Sequence, residues 1–238
     1  MESRRIQPVN HFYYQIWKGI QFKKINVITK MKPDSIDGCY QALFFQEEPA
    51  MKIEKETIRC EAVFNEEHTH RYLWKRIWNK DKALAAVIML NPCMADTIVT
   101  DTTTFLVVNN LAVLERFGGV EIVNLYSKLT SKLNFRWNAD QELNEEENNS
   151  YIQQAAAECS EIIIAWGRAD RSNQRVEKRA REVLELLKPY REKISVISDG
   201  ERKNLHPLTP AVRNQWKLES FDWTEYEQEK EKEEEDNV

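Results

Sequence analysis

Apolar and polar positions along the chain sort into two periods. Leu84 to Leu90 is an unbroken apolar run that stops at Asn91-Pro92-Cys93, and a run of that length and composition predicts a central strand buried on both faces. Val120 to Leu125, Ile162 to Gly167 and Ile194 to Ile197 predict three more. Between them the spacing lengthens to that of a helix. Asp101-Thr102-Thr103-Thr104 supplies capping residues for a helix with Phe105, Val108, Ala112 and Leu114 or Glu115 inward, ended by Gly118-Gly119. A polar helix is expected over 139–159, with Tyr151, Ala155 and Cys159 at four-residue steps. Another is expected over 174–187, with Val176, Ala180, Val183, Leu184 and Leu187 on one stripe and Pro189 closing it. Upstream, Ile58 to Phe64 and Tyr72 to Trp78 alternate with period two around Asn65-Glu66-Glu67, which predicts an antiparallel hairpin.

Strand and helix alternate through four strands. The expected fold class is therefore α/β: a three-layer α/β/α domain with a four-stranded parallel central sheet and right-handed crossovers, plus an N-terminal β-hairpin extension. Residues 1–56 read as an N-terminal extension, 57–224 as the α/β domain, and 225–238 as a disordered acidic tail. The last apolar segment before the tail runs from Trp216 to Trp223.

Charge adds an asymmetry to this outline. The net charge of −5 is concentrated in the tail, where eight acidic residues face two lysines. Without it the chain is close to neutral. Met1 to Lys32 carries seven basic residues and one acid, interleaved with Phe12, Tyr13, Tyr14, Trp17 and Phe22. Cations for phosphates and rings for bases suit single-stranded nucleic acid, although aromatics packed inward with lysines in solvent give the same composition. No run approaches the length of a membrane span, and the start has no compact apolar signal region, so a cytoplasmic protein is expected. Cys39, Cys60, Cys93 and Cys159 are far apart and are expected as reduced thiols. His68 and His70 lack neighbouring ligands, so neither a metal nor another cofactor is expected.

In a parallel sheet the carboxyl ends of the strands lie along one edge, where ligands of open α/β sheets bind. Each predicted strand leads there into a polar element: Asn91-Pro92-Cys93, Asn124, Trp166-Gly167-Arg168 and, beyond the Asp199-Gly200 turn, His206-Pro207. Taken singly these are a strand stop, a backbone-capping asparagine, a turn and a common dipeptide. Their convergence is the stronger signal. Arg171, Arg175, Lys178 and Arg179 gather at the start of the next helix, as a phosphate-binding cluster or as a solvated face in which Arg181 pairs with Glu177 and Glu185.

The series Leu90-Asn91-Pro92, Asp101 to Thr104, Val123-Asn124-Leu125, Ala165-Trp166-Gly167 and His206-Pro207-Leu208 resembles the bacterial and phage family of unknown function DUF1643. More distantly, Met89-Leu90-Asn91-Pro92 and His206-Pro207-Leu208 resemble two motifs of the uracil-DNA glycosylase superfamily, over roughly residues 57 to 220. That resemblance implies a uracil-DNA-glycosylase-like fold and an N-glycosidase acting on the flipped, possibly modified, base of DNA. It implies that Asn91 positions the water, that His206 donates to the leaving base or grips a phosphate, and that Asn124 reads the base. Pro92, Cys93, Trp166, Gly167, Arg168 and Pro207 would line the substrate. Asparagine cannot take a proton, so Asp96 or Asp101, the nearest carboxylates in sequence, would have to supply a base. Two departures stand against uracil itself: active uracil glycosylases carry a carboxylate at the place of Asn91, and no serine follows His206-Pro207. The alternatives are a non-catalytic binder of nucleotides or nucleic acid, and an interaction module of phage-host conflict that meets a protein partner through the N-terminal extension or the acidic tail.

Overall fold

A computed structural model describes residues 52–93, 97–224 and 226–228. The expectations placed on the first fifty residues, on Asp96 and on most of the acidic tail lie outside these. The described strands are β1 (Arg59–Phe64), β2 (Arg71–Ile77), β3 (Ala83–Met89), β4 (Phe117–Asn124), β5 (Glu161–Ile164), β6 (Ile194–Ser198) and β7 (Lys217–Ser220). The helices are α1 (Thr102–Val113), α2 (Asp140–Leu143), α3 (Glu147–Glu158) and α4 (Gln174–Leu187). The fold is α/β, built on one mixed seven-stranded sheet in the order β1-β2-β4-β3-β5-β6-β7.

β4, β3, β5 and β6 pair in parallel, while β1, β2 and β7 run antiparallel to their neighbours. The expected hairpin is thus no appendage. β2 pairs with β4 and extends the sheet, and β7 closes the far side. The alternating side chains of β3 divide the core: Ala86 and Ile88 join residues of α3 and α4, whereas Ala85, Val87 and Met89 join Val107 and Leu111 of α1. Helices therefore cover both faces.

Three local expectations fail for identifiable reasons. Gly118-Gly119 does not end α1 but lies inside β4. A Cβ at Gly118 would stand 1.9 Å from the Asn79 carbonyl oxygen, and one at Gly119 2.7 Å from that of Arg76, so the glycines let β4 press against the end of β2. α1 ends instead at Leu114, and Glu115 turns the chain away at φ 58°. The inner stripe of α1 is also shifted: Thr104, Val107, Asn110 and Leu111 are buried, while Phe105 is exposed. Two of these are polar, which an apolar count cannot detect. Thr104 bonds Asp101, and the Asn110 amide donates to the carbonyls of Leu106 and Arg213, both at 2.9 Å.

The long polar helix is broken into α2 and α3. The break serves the end of β4, whose carbonyls need donors. Asn148 Nδ2 reaches the oxygens of Asn124 at 3.0 Å and Leu125 at 3.3 Å, and Glu145 N donates to Ser127 Oγ at 3.1 Å.

α4 follows the sequence closely, with Val176, Ala180, Val183, Leu184 and Leu187 all buried. Its N-cap is Asn173, whose Oδ1 accepts from Arg175 N at 2.9 Å and Val176 N at 3.4 Å. Asn173→Ala is expected to cost about 1 kcal/mol, read as a lower urea midpoint with an unchanged slope.

Candidate functional site

The crossover from β3 to β4 runs in one direction along the sheet and the crossovers to β5 and β6 in the other. The strand order therefore reverses between β3 and β5. In open parallel sheets such a reversal opens a crevice at the carboxyl ends. Here it lies between the turn after Met89 and the turn after Ile164, the segments carrying Asn91 and Trp166-Gly167-Arg168.

Asn91 holds its own turn in place. Its Nδ2 donates to the carbonyl of Thr130 at 2.7 Å and to that of Pro92 at 3.2 Å, and Thr130 N returns a bond to Pro92 O at 3.1 Å. Both hydrogens of the amide nitrogen are therefore committed within the turn. Pro92 is buried, and Cys93 is a half-buried free thiol. On the neighbouring strand, Asn124 stands opposite Met89 and is fully buried. By alternation it shares the α1 face with Val120 and Ile122. Neither its Oδ1 nor its Nδ2 has a hydrogen-bond partner.

Asp101 caps α1: one carboxylate oxygen accepts from Thr104 N at 2.9 Å and the other from Thr104 Oγ1 at 3.0 Å. The same charge acts on two further groups. Burial pushes the Arg71 guanidinium down to about 10, against the opposing pull of Asp101 and Cys93. Burial likewise lowers His206 below the ordinary histidine value, again against the pull of Asp101. His206 Nδ1 accepts from Leu208 N at 3.1 Å, which leaves Nε2 to carry the proton of the neutral ring. Gly167, at φ 70°, brings its backbone against this histidine, since a Cβ there would lie 2.9 Å from the His206 Cβ.

A family model described as a protein of unknown function, DUF1643, matches residues 71–208. The chain belongs to the DUF1643 family. No curated protein and no solved structure matches it. The DUF1643 stretch opens on Arg71 and closes on Leu208, so it spans Asn91, Asp101, Asn124, Gly167 and His206 from end to end.

Arg71 was absent from the sequence-derived set. Period-two alternation puts it opposite Tyr72 and Trp74, on the face that would be solvated in an edge strand. β2 is an interior strand, and Arg71, Tyr72, Leu73 and Trp74 are all buried. Asp96 lies outside the described residues. Trp166 does not join Asn124: its ring packs with the α3 and α4 core on the other face, and its Nε1 donates to Asp170 at 3.3 Å. Arg168 and Lys178 are exposed, and Pro207 is buried.

The basic cluster divides. Arg171 lines a pocket beside Trp166, whereas Arg175, Lys178 and Arg179 line a different one with Tyr126 and Asp140. Arg175 is an internal tie, donating to Asp140 and to the carbonyls of Phe135 at 2.6 Å and Asn138 at 3.0 Å. Arg179 is buried and donates to Leu125 O at 2.8 Å and Asn149 Oδ1 at 2.6 Å. Phosphate contact by this pair would require breaking those bonds. Arg181 pairs with Glu177 at 2.8 Å, as its spacing implies. His68 and His70 diverge: His68 is exposed at φ 56°, and buried His70 shares a 2.8 Å hydrogen bond with Ser127 Oγ. Among the described residues no cluster of His, Cys, Asp and Glu is arranged to hold a metal ion, and no helix is long and apolar enough to cross a membrane.

The loop that delivers His206 is fastened by Asp199. Its carboxylate accepts from Arg202 N at 2.8 Å, Glu201 N at 3.0 Å and the Arg202 guanidinium at 2.7 Å. The backbone bond from Arg202 leads in holding the acid down at about 2, below its ordinary 3.8. A lowered carboxyl stabilises the turn fully above pH 3.8, and the contribution fades as pH falls towards 2. Acid titration by NMR should show the Arg202 amide shifting only in that window, and Asp199→Asn should abolish the transition.

Proposed function

We propose that the carboxyl edge around Asn91, Asp101, Asn124 and His206 is the site of a DNA-base-directed N-glycosidase of the uracil-DNA-glycosylase-like class, working on a flipped base. Cleaving an N-glycosidic bond leaves negative charge on the base and positive charge on the sugar. The observation that carries the reading is the Asn124 amide: buried, unpaired, and offering one donor and one acceptor to the edge of a base. His206 supports it. A ring kept neutral by burial, with Nε2–H as its donor, can bond the developing oxyanion without drawing an anionic phosphate in its place. Arg71 adds a buried positive charge near Asp101, and the Asn91 oxygen would orient water. Asn124 is fully covered, so the base reaches it only after the residues over it part.

A second reading, a binder without catalysis, is favoured by one observation. Both oxygens of Asp101 are engaged by Thr104, which weakens it as a general base. The two separate in one experiment. Oligonucleotides carrying a panel of normal and modified bases are incubated with the protein and then treated with alkali. Strand breaks at one base, lost in His206→Ala, are expected. DNA binding without breaks on any substrate leaves the binder, and absence of DNA binding at low salt removes both.

A further inference from the structure

The pocket beside Trp166 lies on the opposite face of the sheet from Asn124, where β5, β6 and α4 meet. Its volume is about 130 Å³. An apolar cavity of about 150 Å³ accommodates a benzene ring, so this space is on the scale of a single six-membered ring. Trp166, Phe221 and Tyr226 contribute rings to its wall, and Leu184 and Val196 aliphatic surface. Its three cations, Arg171, Arg181 and Lys203, are matched in number by Asp170, Glu177 and Asp222 of the same wall, and Arg181 pairs with Glu177 at 2.8 Å and Lys203 with Glu219 at 3.1 Å, so the wall favours a neutral guest over a phosphate. Asn204, at φ 56°, also lines it, and Asn204 Oδ1 is buried with no hydrogen-bond partner. A buried acceptor without a donor is costly, and a guest that brings an N–H offsets that cost once the covered amide turns its oxygen towards the pocket.

We infer that this pocket binds a single-ring neutral heteroaromatic compound bearing a ring N–H, of the pyrimidine-base class, with the ring against the aromatic wall and the N–H on Asn204. The inference is independent of the glycosidase reading, since it uses the other face of the sheet. The two places are nonetheless adjacent along the chain: Gly167 follows Trp166 and touches His206, which lies two residues beyond Asn204.

Calorimetric titration of the full chain tests it, with uracil and cytosine as probes and with 1,3-dimethyluracil and toluene as guests that lack the N–H. Uracil or cytosine is expected to bind at one site, and dimethyluracil and toluene at least tenfold more weakly. Asn204→Gly keeps the backbone free to adopt positive φ and removes the amide, and should weaken the pyrimidine about tenfold. Tyr226→Ala should weaken it by removing part of the wall. Asn124→Leu should leave it unchanged, which assigns the binding to this pocket and separates it from the catalytic reading. Equal binding of toluene and uracil, insensitivity to Asn204→Gly, loss in Asn124→Leu, or no binding of any ring compound would each overturn the proposal.

Discussion

Asn124→Leu is expected to make the protein more stable and to abolish base excision in the same step. The amide lies wholly inside the sheet-α1 layer with both polar atoms unpaired. Each buried group in that condition costs about 1–3 kcal/mol, and an apolar side chain of similar shape removes the cost. A gain of about 1–3 kcal/mol follows, and for a chain of this size each kcal/mol raises Tm by roughly 2–4 °C. The same change removes the donor and acceptor proposed to hold the base, and excision should fall by at least two orders of magnitude, the usual loss for a lost transition-state contact. Thermal unfolding and the alkali assay read the two effects separately. A drop in stability would show that the amide is satisfied in the folded protein, and the base-reading role would go with it.

Lys75→Met should be the most damaging single change to the core. Glu121 sits in the middle of β4 with its side chain 2% exposed, and its ion-pair partner is Lys75, 2.5 Å away on β2. Burial acts on the lysine to lower its pKa, but the hydrogen bond and charge of Glu121 outweigh this and raise it above the ordinary value of 10.5. By sign, that stabilisation is complete below pH 10.5 and disappears only as pH rises past the folded value. Removing the lysine strands a carboxylate, for which the usual cost is about 3–5 kcal/mol. Lys75→Met with Glu121→Leu removes both charges and should recover most of the loss, because replacing a whole buried pair by apolar side chains is often neutral. Urea unfolding of the two singles and the double closes the cycle. Additive losses would mean that the two residues are not coupled.

The elements that the sequence predicted well are those in which apolar periodicity alone decides the outcome. β3 and β5 came from unbroken runs, and α4 from a five-residue stripe closed by Pro189. The misplaced boundaries are the ones set by tertiary contacts. Gly118 and Gly119 look like a helix stop but serve a close strand approach, and the break before α3 depends on carbonyls of β4 that no local pattern reveals. In the site, the turns after the parallel strands β3, β4 and β5 leave the sheet at one edge, yet the sequence could not say towards which face each side chain turns. Trp166 and Asn124 part on that account. Arg71 escaped notice because an interior strand buries both of its faces, and whether a strand is interior depends on its neighbours.

The stretch matched to DUF1643 stops short of β1 and β7. On its own it would be a five-stranded sheet whose outer strands, β2 and β6, each present a bare row of peptide groups, an invitation to pair with other chains. Here a charged strand at one side and a short one at the other close those rows. Any chain that carries the matched stretch therefore faces the same demand: it must bring its own edge protection from outside that stretch, or meet a neighbour there.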